Sequence, residues 1–359
     1  MRRVPVIDVT DLYHPHQDVG DNVDLIAAYA LPEIDLKGVI LDCTDDYRRP
    51  FTQGDPSYHD PTGPREPGFI PVLQLNYIFN RNVPAGVGPF TRMKSPGDTM
   101  EDLPAFQETG LELIRRILEE SEDPVHILSF GSARSIAVAF NRWPELLRAK
   151  VARIHLCAGA SDPSFLEWNV NLDPQAICCL LRSGLPIALY PCATKDGPFA
   201  YGRHNTFWRL PHLDFIAGMD PKLQRYLWYA FARSNRHDFL GVLEDPSLPD
   251  PKMLEEWKRR PHNVWESAVW LEVSGRRLVR RADGRFRIVR QEEIADGDEM
   301  LPHALRPCAV EVGDDGRFRF ELVEGNSSFS VYDREDPYLN ERALREALPA
   351  LYQEFSLED

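Results

Sequence analysis

The 359-residue chain lacks any run of eighteen apolar residues, which excludes a membrane-crossing helix and predicts no membrane partner. Its start, MRRVPVIDV, passes directly into β-branched residues and has no apolar core of a secretory leader. Cysteine is scarce. Cys43, Cys157, Cys178, Cys179, Cys192 and Cys308 form no C-x-x-C pair, so neither a zinc site nor a disulfide framework is signalled. The expectation is small buried hydrophobes in a cytoplasmic protein. Basic tracts are missing too. With 41 Lys+Arg against 56 Asp+Glu and a formal charge of -15, the composition argues against a nucleic-acid partner and for a neutral or cationic ligand. No internal repeat and no low-complexity tail interrupts the chain.

What the chain has is acid at one place. Val4 to Val9 is short, apolar and β-branched, the pattern of a buried strand. Val23, Ile26, Ala27 and Ala30 then recur at helical spacing, with Asp21 where an N-cap belongs. Between and around them stand Asp8, Asp11, Asp18, Asp21 and Asp24. So many anions at one strand-to-helix turn call for a positive partner, and a hard cation with oxygen ligands is the natural one.

Further along, Gly38 to Leu41 reads as a second strand, completing a βαβ unit. Asp42 to Gly68 is dense in Pro, Gly, Asp and Arg and reads either as a rim or lid of a site at the strand's carboxyl end or as a solvated loop. Phe69 to Asn80 reads as a helix, followed by a strand and a turn in which Gly86 and Gly88 can let backbone approach a ligand. A helix near Gln107 to Glu120 follows. The strand Val125 to Phe130, the small turn Gly131 to Ser135 and the helix beginning IAVAF repeat the opening construction. Lys150 to Gly159 is another strand. Glu167, Asn169 and Asn171 would share one face of an extended segment, suited to sugar hydroxyls, with Asp173-Pro174 starting a helix that leads to a strand at Pro186 to Tyr190. The arginine-rich alternation in GRRLVRRADGRFRIVR predicts a hairpin, an excursion that covers the site or forms the edge of a homo-oligomer.

Several of these segments together resemble the inosine–uridine-preferring nucleoside hydrolase family. DVTDLYHPHQDVGDNVD is similar to that family's D-x-D-P-G-x-D-D motif with an insertion; FGSARSIA is similar to T-G-P-L-T-N-I-A; EWNVNLDPQAICC is similar to E-F-N-x-x-x-D-P-E-A-A. The resemblance implies one α/β domain over residues 1–359, an open, mainly parallel Rossmann-like sheet wrapped by helices, and a bound Ca2+. It also implies hydrolysis of the N-glycosidic bond of a ribonucleoside or related N-riboside by a calcium-bound water. Bottom-up chemistry agrees, because cleavage develops positive charge on the ribose that carboxylates stabilise.

Residue by residue, Asp18 resembles the aspartate touching both metal and water, with Asp11 the other candidate for that motif position, and Asp21 resembles the metal-binding aspartate at the helix start. Asn22 stands where the ribose-binding member of an aspartate pair would be, and Glu167 and Asn169, with Asn171 nearby, resemble the ribose-binding Glu and Asn. The backbone carbonyl at Arg134 resembles the main-chain calcium ligand; the Arg134 side chain either repels the metal or binds an anionic group of a larger substrate. For the late His-Asp motif, His262-Asn263 is preferred to His237-Asp238, with His262 as the catalytic histidine, Asn263 as a metal ligand and Glu266 as its replacement carboxylate. The reading from another class is a non-catalytic nucleoside- or sugar-binding protein on the same fold.

Overall fold

A computed structural model describes residues 3–12, 19–45, 67–232, 234 and 236–357. Most of the rim segment Asp42 to Gly68 lies outside these residues. In chain order the elements begin with β1 (Val4–Thr10), α1 (Val19–Ala30), β2 (Ile34–Leu41), α2 (Phe69–Ile78) and β3 (Ala85–Val87). The middle comprises α3 (Ala105–Glu120), β4 (Val125–Phe130), α4 (Arg134–Arg142), α5 (Pro144–Lys150), β5 (Val151–Leu156), α6 (Trp168–Leu172), α7 (Pro174–Arg182) and β6 (Ile187–Leu189). Then come β7 (Trp208–Leu210), α8 (Pro221–Phe231), α9 (Pro251–Trp257), β8 (His262–Val264) and α10 (Ser267–Ser274). The chain closes with β9 (Arg277–Arg280), β10 (Phe286–Val289), β11 (Glu299–Met300), β12 (Ala304–Val312), β13 (Phe318–Leu322), β14 (Phe329–Asp333) and α11 (Pro337–Gln353).

Among the described residues the main sheet has nine strands in the order β13-β12-β14-β6-β5-β4-β1-β2-β3. From β14 to β3 every neighbouring pair is parallel, and the β12–β13 hairpin adds an antiparallel edge. The expected open, mainly parallel α/β sheet is therefore what forms. Alternation along the strands feeds two cores: Val6, Leu128 and Phe130 face one helical layer, while Ile7, Val9 and Ile127 face the other. The chain leaves β1 toward β2 and β3 on one side and reaches β4, β5 and β6 on the other, so the order reverses between β1 and β4. A crevice opens there, at the carboxyl ends of the strands.

Several local readings change. The predicted single helix after Ser135 breaks at Trp143 into α4 and α5, because Pro144 has no N–H to continue the ladder. Gly86 and Gly88 serve helix packing: a Cβ on Gly86 would lie 2.6 Å from the Thr109 carbonyl oxygen, and one on Gly88 would lie 1.9 Å from Ser135 Oγ. The segment read as extended at 167–171 is the cap and body of α6, because the Glu167 carboxylate accepts from the amides of Asn169 and Val170. The predicted hairpin is β9–β10, with Phe286 opposite Arg280. A third strand, β11, joins it.

Candidate active site

Asp11 follows the last residue of β1. Its amide and the Thr10 hydroxyl both donate to Asp21 Oδ2, at 3.2 and 3.1 Å. Asp21 thus lies inside the first turn of α1 and ties that turn to the strand; it is not the N-cap. Asp42 follows β2, fully buried, and both its oxygens are held by Ser132: the amide donates to Oδ2 at 2.6 Å and the hydroxyl to Oδ1 at 2.9 Å. Burial raises its pKa and the Arg134 guanidinium opposes the rise. Only glycine fits at 131, since a Cβ there would stand 2.5 Å from Asp42 Oδ2 and 3.4 Å from Asp11 Cβ.

Three more carboxyls gather on the α1 side of the sheet: Asp8 on β1, Asp24 on α1 and Glu266 in the turn entering α10. Asp24 and Glu266 share a side-chain hydrogen bond, so one of them holds a proton. Burial raises both, and the facing carboxyl raises Asp24 further. Asp8 is pushed up to about 8, first by burial and then by the Glu266 charge. Its Oδ1 has no hydrogen-bond partner among the described residues. Both acids leave a trace in the sequence, as charges interrupting an apolar strand and an apolar helix.

Glu167 and Asn169 approach the same region through β5. Asn169 Nδ2 donates to the Cys157 carbonyl at 2.8 Å, and Glu167 Oε2 accepts from the Gly159 amide at 2.7 Å. Burial lifts Glu167 to about 7 against the pull of its backbone N–H donors. Neither the Glu167 nor the Glu266 charge is remote from Cys157, whose thiol both push up behind the larger effect of burial. The half-buried Asn171 donates its amide to the Glu167 carbonyl at 2.9 Å. Beside Glu266, the Trp265 indole donates to the Cys192 carbonyl at 2.8 Å. Its ring packs 5.4 Å from Phe207 and 6.1 Å from Phe199, which is 61% exposed. This aromatic wall escaped sequence reading, since its members are scattered singly through loops.

Other candidates sit elsewhere. Asn22 is fully buried with Oδ1 accepting from the Tyr226 hydroxyl at 3.0 Å, so its amide group belongs to the packing of α1 on α8. The Arg134 side chain spends all five N–H donors on protein: Nε on Asp173 at 2.7 Å, the other nitrogens on the carbonyls of Cys43, Pro89 and Leu172 and the Thr44 hydroxyl. It is a buried clamp between the loop ends and not an anion receptor. His262 and Asn263 pair with Leu210 and Arg209 in the β7–β8 ribbon. Burial and the Arg260 charge lower His262 to about 4, leaving it neutral at pH 7. His237 is exposed next to Asp238, which pairs with Arg236. Of the late candidates, Glu266 is the one that meets the aspartates. Asp18 lies outside the described residues. All six cysteines are buried and free, as expected, and among the described residues no helix is long and apolar enough to cross a membrane.

No family model matches the chain. Sequence relatives do. The chain is 27% identical over 190 residues to the pyrimidine-specific ribonucleoside hydrolase RihA of Escherichia coli O1:K1 / APEC, covering 47% of this chain and 55% of that protein. To RihA of Enterobacter sp. (strain 638) it is 34% identical over 105 residues, 26% of this chain and 33% of the relative. The chain thus spans about half the length of the curated relatives it matches first. Two solved structures share its fold nearly end to end: a plant nucleoside hydrolase, PpNRh1, at TM-score 0.52 and 16% identity, covering 97% of this chain and 99% of that one, and the effector protein XOO4466 at 0.53 and 12%, covering 98% and 94%. The chain is thus similar in sequence to ribonucleoside hydrolases along one stretch and shares the fold of a nucleoside hydrolase along nearly all of its length.

Proposed function

We propose that the chain hydrolyses the N-glycosidic bond of a ribonucleoside or related N-riboside. The observation that carries this reading is the gathering of Asp8, Asp11, Asp24 and Glu266 near the carboxyl ends of β1 and β4, with Glu167 and Asn169 beside them. As the bond to the base breaks, positive charge grows on the ribose. Buried carboxylates that repel one another before reaction gain a partner only then, which favours the transition state over the neutral substrate. The ribose would lie against Asn169 and Glu167, and the base against Trp265 and Phe199, whose stacking adds affinity without base selectivity. Asp11 or Asp18 would take the proton of the attacking water. With His262 neutral and held in the β7–β8 ribbon, the leaving base would draw its proton from elsewhere, and the protonated member of the Asp24–Glu266 pair or the Asp8 carboxyl would supply it.

The family implies Ca2+, and the donor chemistry fits it: hard oxygen donors in anionic excess, with the orphaned Asp8 Oδ1 among them. Among the described residues no three His, Cys, Asp or Glu side chains converge closely enough to hold an ion by themselves. Asp11, Asp21, Glu266 and the Arg134 backbone would have to act with Asp18. When bound, the ion would supply an acidified water. The test is ribose release from a panel of purine, pyrimidine and nicotinamide ribosides, with and without calcium, by the wild type and by Glu266→Gln. Release abolished by the substitution supports the reading. If a riboside binds and no ribose appears under any condition, the binding-only reading stands, and the incomplete ligand set is the observation that favours it.

A further inference from the structure

The chain carries -15 overall, yet one cavity of about 490 Å³ is lined by seven arginines against two glutamates. It lies at the opposite end of the strands from the carboxylates: Arg3 precedes β1, Pro32 precedes β2 and Arg81 precedes β3. The remaining wall is the β9–β10 excursion with the end of α11. Arginine is costly to gather in this way, because like charges in a concave, partly apolar space repel at reduced dielectric.

The acids nearby offset most of this charge but leave two of the arginines without an ion pair among the described residues. Arg276 and Arg290 share one buried carboxylate, Glu33, at 3.1 and 2.9 Å. Arg281 and Arg285 take Asp298 and Asp283, each on its own loop, and Arg287 reaches Glu346 at 3.3 Å. Among the described residues neither Arg3 nor Arg81 has a carboxylate within ion-pair distance, and burial and the charge of Arg3 lower the pKa of Arg81 against the weaker pull of Tyr29 and Asp35. Guanidinium forks approach from the chain start, from the α2–β3 loop and from the hairpin, so one tetrahedral anion could meet only some of them. A chain of linked tetrahedral anions could meet all three sides.

We propose that this cavity binds a small soluble oligophosphate, two or more phosphates joined in a chain, at a site separate from the carboxylate crevice. Arg276 is 9% exposed and anchored, so the receptor is in part prebuilt. A long nucleic acid is disfavoured, because beyond the cavity its backbone would run over the surface of an acidic chain. The concave shape likewise suits a small ligand of nucleotide size.

Isothermal titration of the full metal-free chain with sodium tripolyphosphate, orthophosphate, ATP and a single-stranded oligonucleotide tests this. Tripolyphosphate is expected to saturate one site at least ~10-fold more tightly than orthophosphate. Equal binding of ATP would identify the phosphate chain as the recognised part, whereas tighter binding of ATP would add a nucleoside contact on the Phe79 and Phe355 side. Arg81→Gln should weaken tripolyphosphate by ~10-fold or more, and Arg3→Gln, at an exposed residue that cannot compromise folding, should weaken it measurably. Absence of saturable tripolyphosphate binding, affinity unchanged in both variants, or tighter binding of the oligonucleotide would overturn the proposal. Ribose release by both variants should stay at the wild-type level, and binding is read without turnover, so failure of the site and failure of the proposed hydrolase activity are separable.

Discussion

Two groups of charged side chains are buried side by side at the carboxyl ends of the strands, and they are built in opposite ways. Around Arg134 every donor has an acceptor: Asp173 supplies the countercharge, and carbonyls and a hydroxyl take the rest. Around Asp24 and Glu266 no cation stands among the described residues: the Trp265 amide donates to Glu266 at 3.0 Å, while Asp8 and Asp11 add to the repulsion. The first group is closed and holds loops in place. The second is under-compensated, which a fold tolerates where something else is to be bound.

Breaking the closed group should have the largest effect. Arg134→Ala strands Asp173 and four further acceptors in a dry site and should cost about 3–5 kcal/mol of stability, measured by urea denaturation; a loss within error of zero would mean the clamp is ornamental. Glu266→Gln removes the carboxyl that links the acids and should lower ribose release by ~10²–10³-fold with the fold intact by circular dichroism. Retained turnover would move the chemistry away from the α10 turn.

The under-compensation should also show as a pH dependence of the metal-free chain. Asp8 and Glu167 have folded pKa values raised to about 8 and about 7, so between their ordinary carboxylate values and those values the folded state holds more protons than the unfolded one. Buried histidines lowered to about 4, His262 among them, act in the opposite sense below their ordinary value, so stability should fall as pH rises from about 6.5 to 8 and level off above, by on the order of a few kcal/mol in all. Asp8→Asn should flatten the profile, and calcium, if it binds there, should raise the thermal midpoint most at the alkaline end. A profile that rises over this interval would contradict the assignment. Trp265→Ala should raise KM for nucleosides by ~10-fold, about 1–2 kcal/mol, with a smaller change in kcat. Tyr226→Phe, which removes the hydroxyl donated to Asn22, should cost about 1 kcal/mol of stability and leave turnover unchanged; a collapse in activity would return Asn22 to the ribose site.

Much of the fold is legible in sequence because strand and helix periods are local. β1, β4 and α7 fall within a residue or two of where alternation and caps put them. The site is less legible, because its members are defined by what they face. Glu266 was a plausible substitute carboxylate by spacing, but its pairing with Asp24 depends on α10 returning against α1. Asp42 reads as the start of a loop until Ser132 is seen to hold both its oxygens. Glu167 was misread in shape, since a carboxylate capping its own helix and one on an extended strand have the same sequence. Arg134 differs in role from its sequence reading, because its five acceptors come from three separate segments.

Helix α1 carries Asp21 and Asp24 at its start and borders the arginine cavity through Tyr29 and Ala30 at its end. Asp21 and Ala30 lie about 14 Å apart along its axis, with the helix dipole favouring acid at the first end and base at the second. The chain is therefore polar along its strands in the way a bar magnet is polar along its length. An incoming phosphorylated nucleoside would be turned away from the crevice before touching it, while an uncharged one feels little torque. Discrimination of that kind acts at a distance and needs no contact residue, and added salt, by shortening the reach of the field, would erode it.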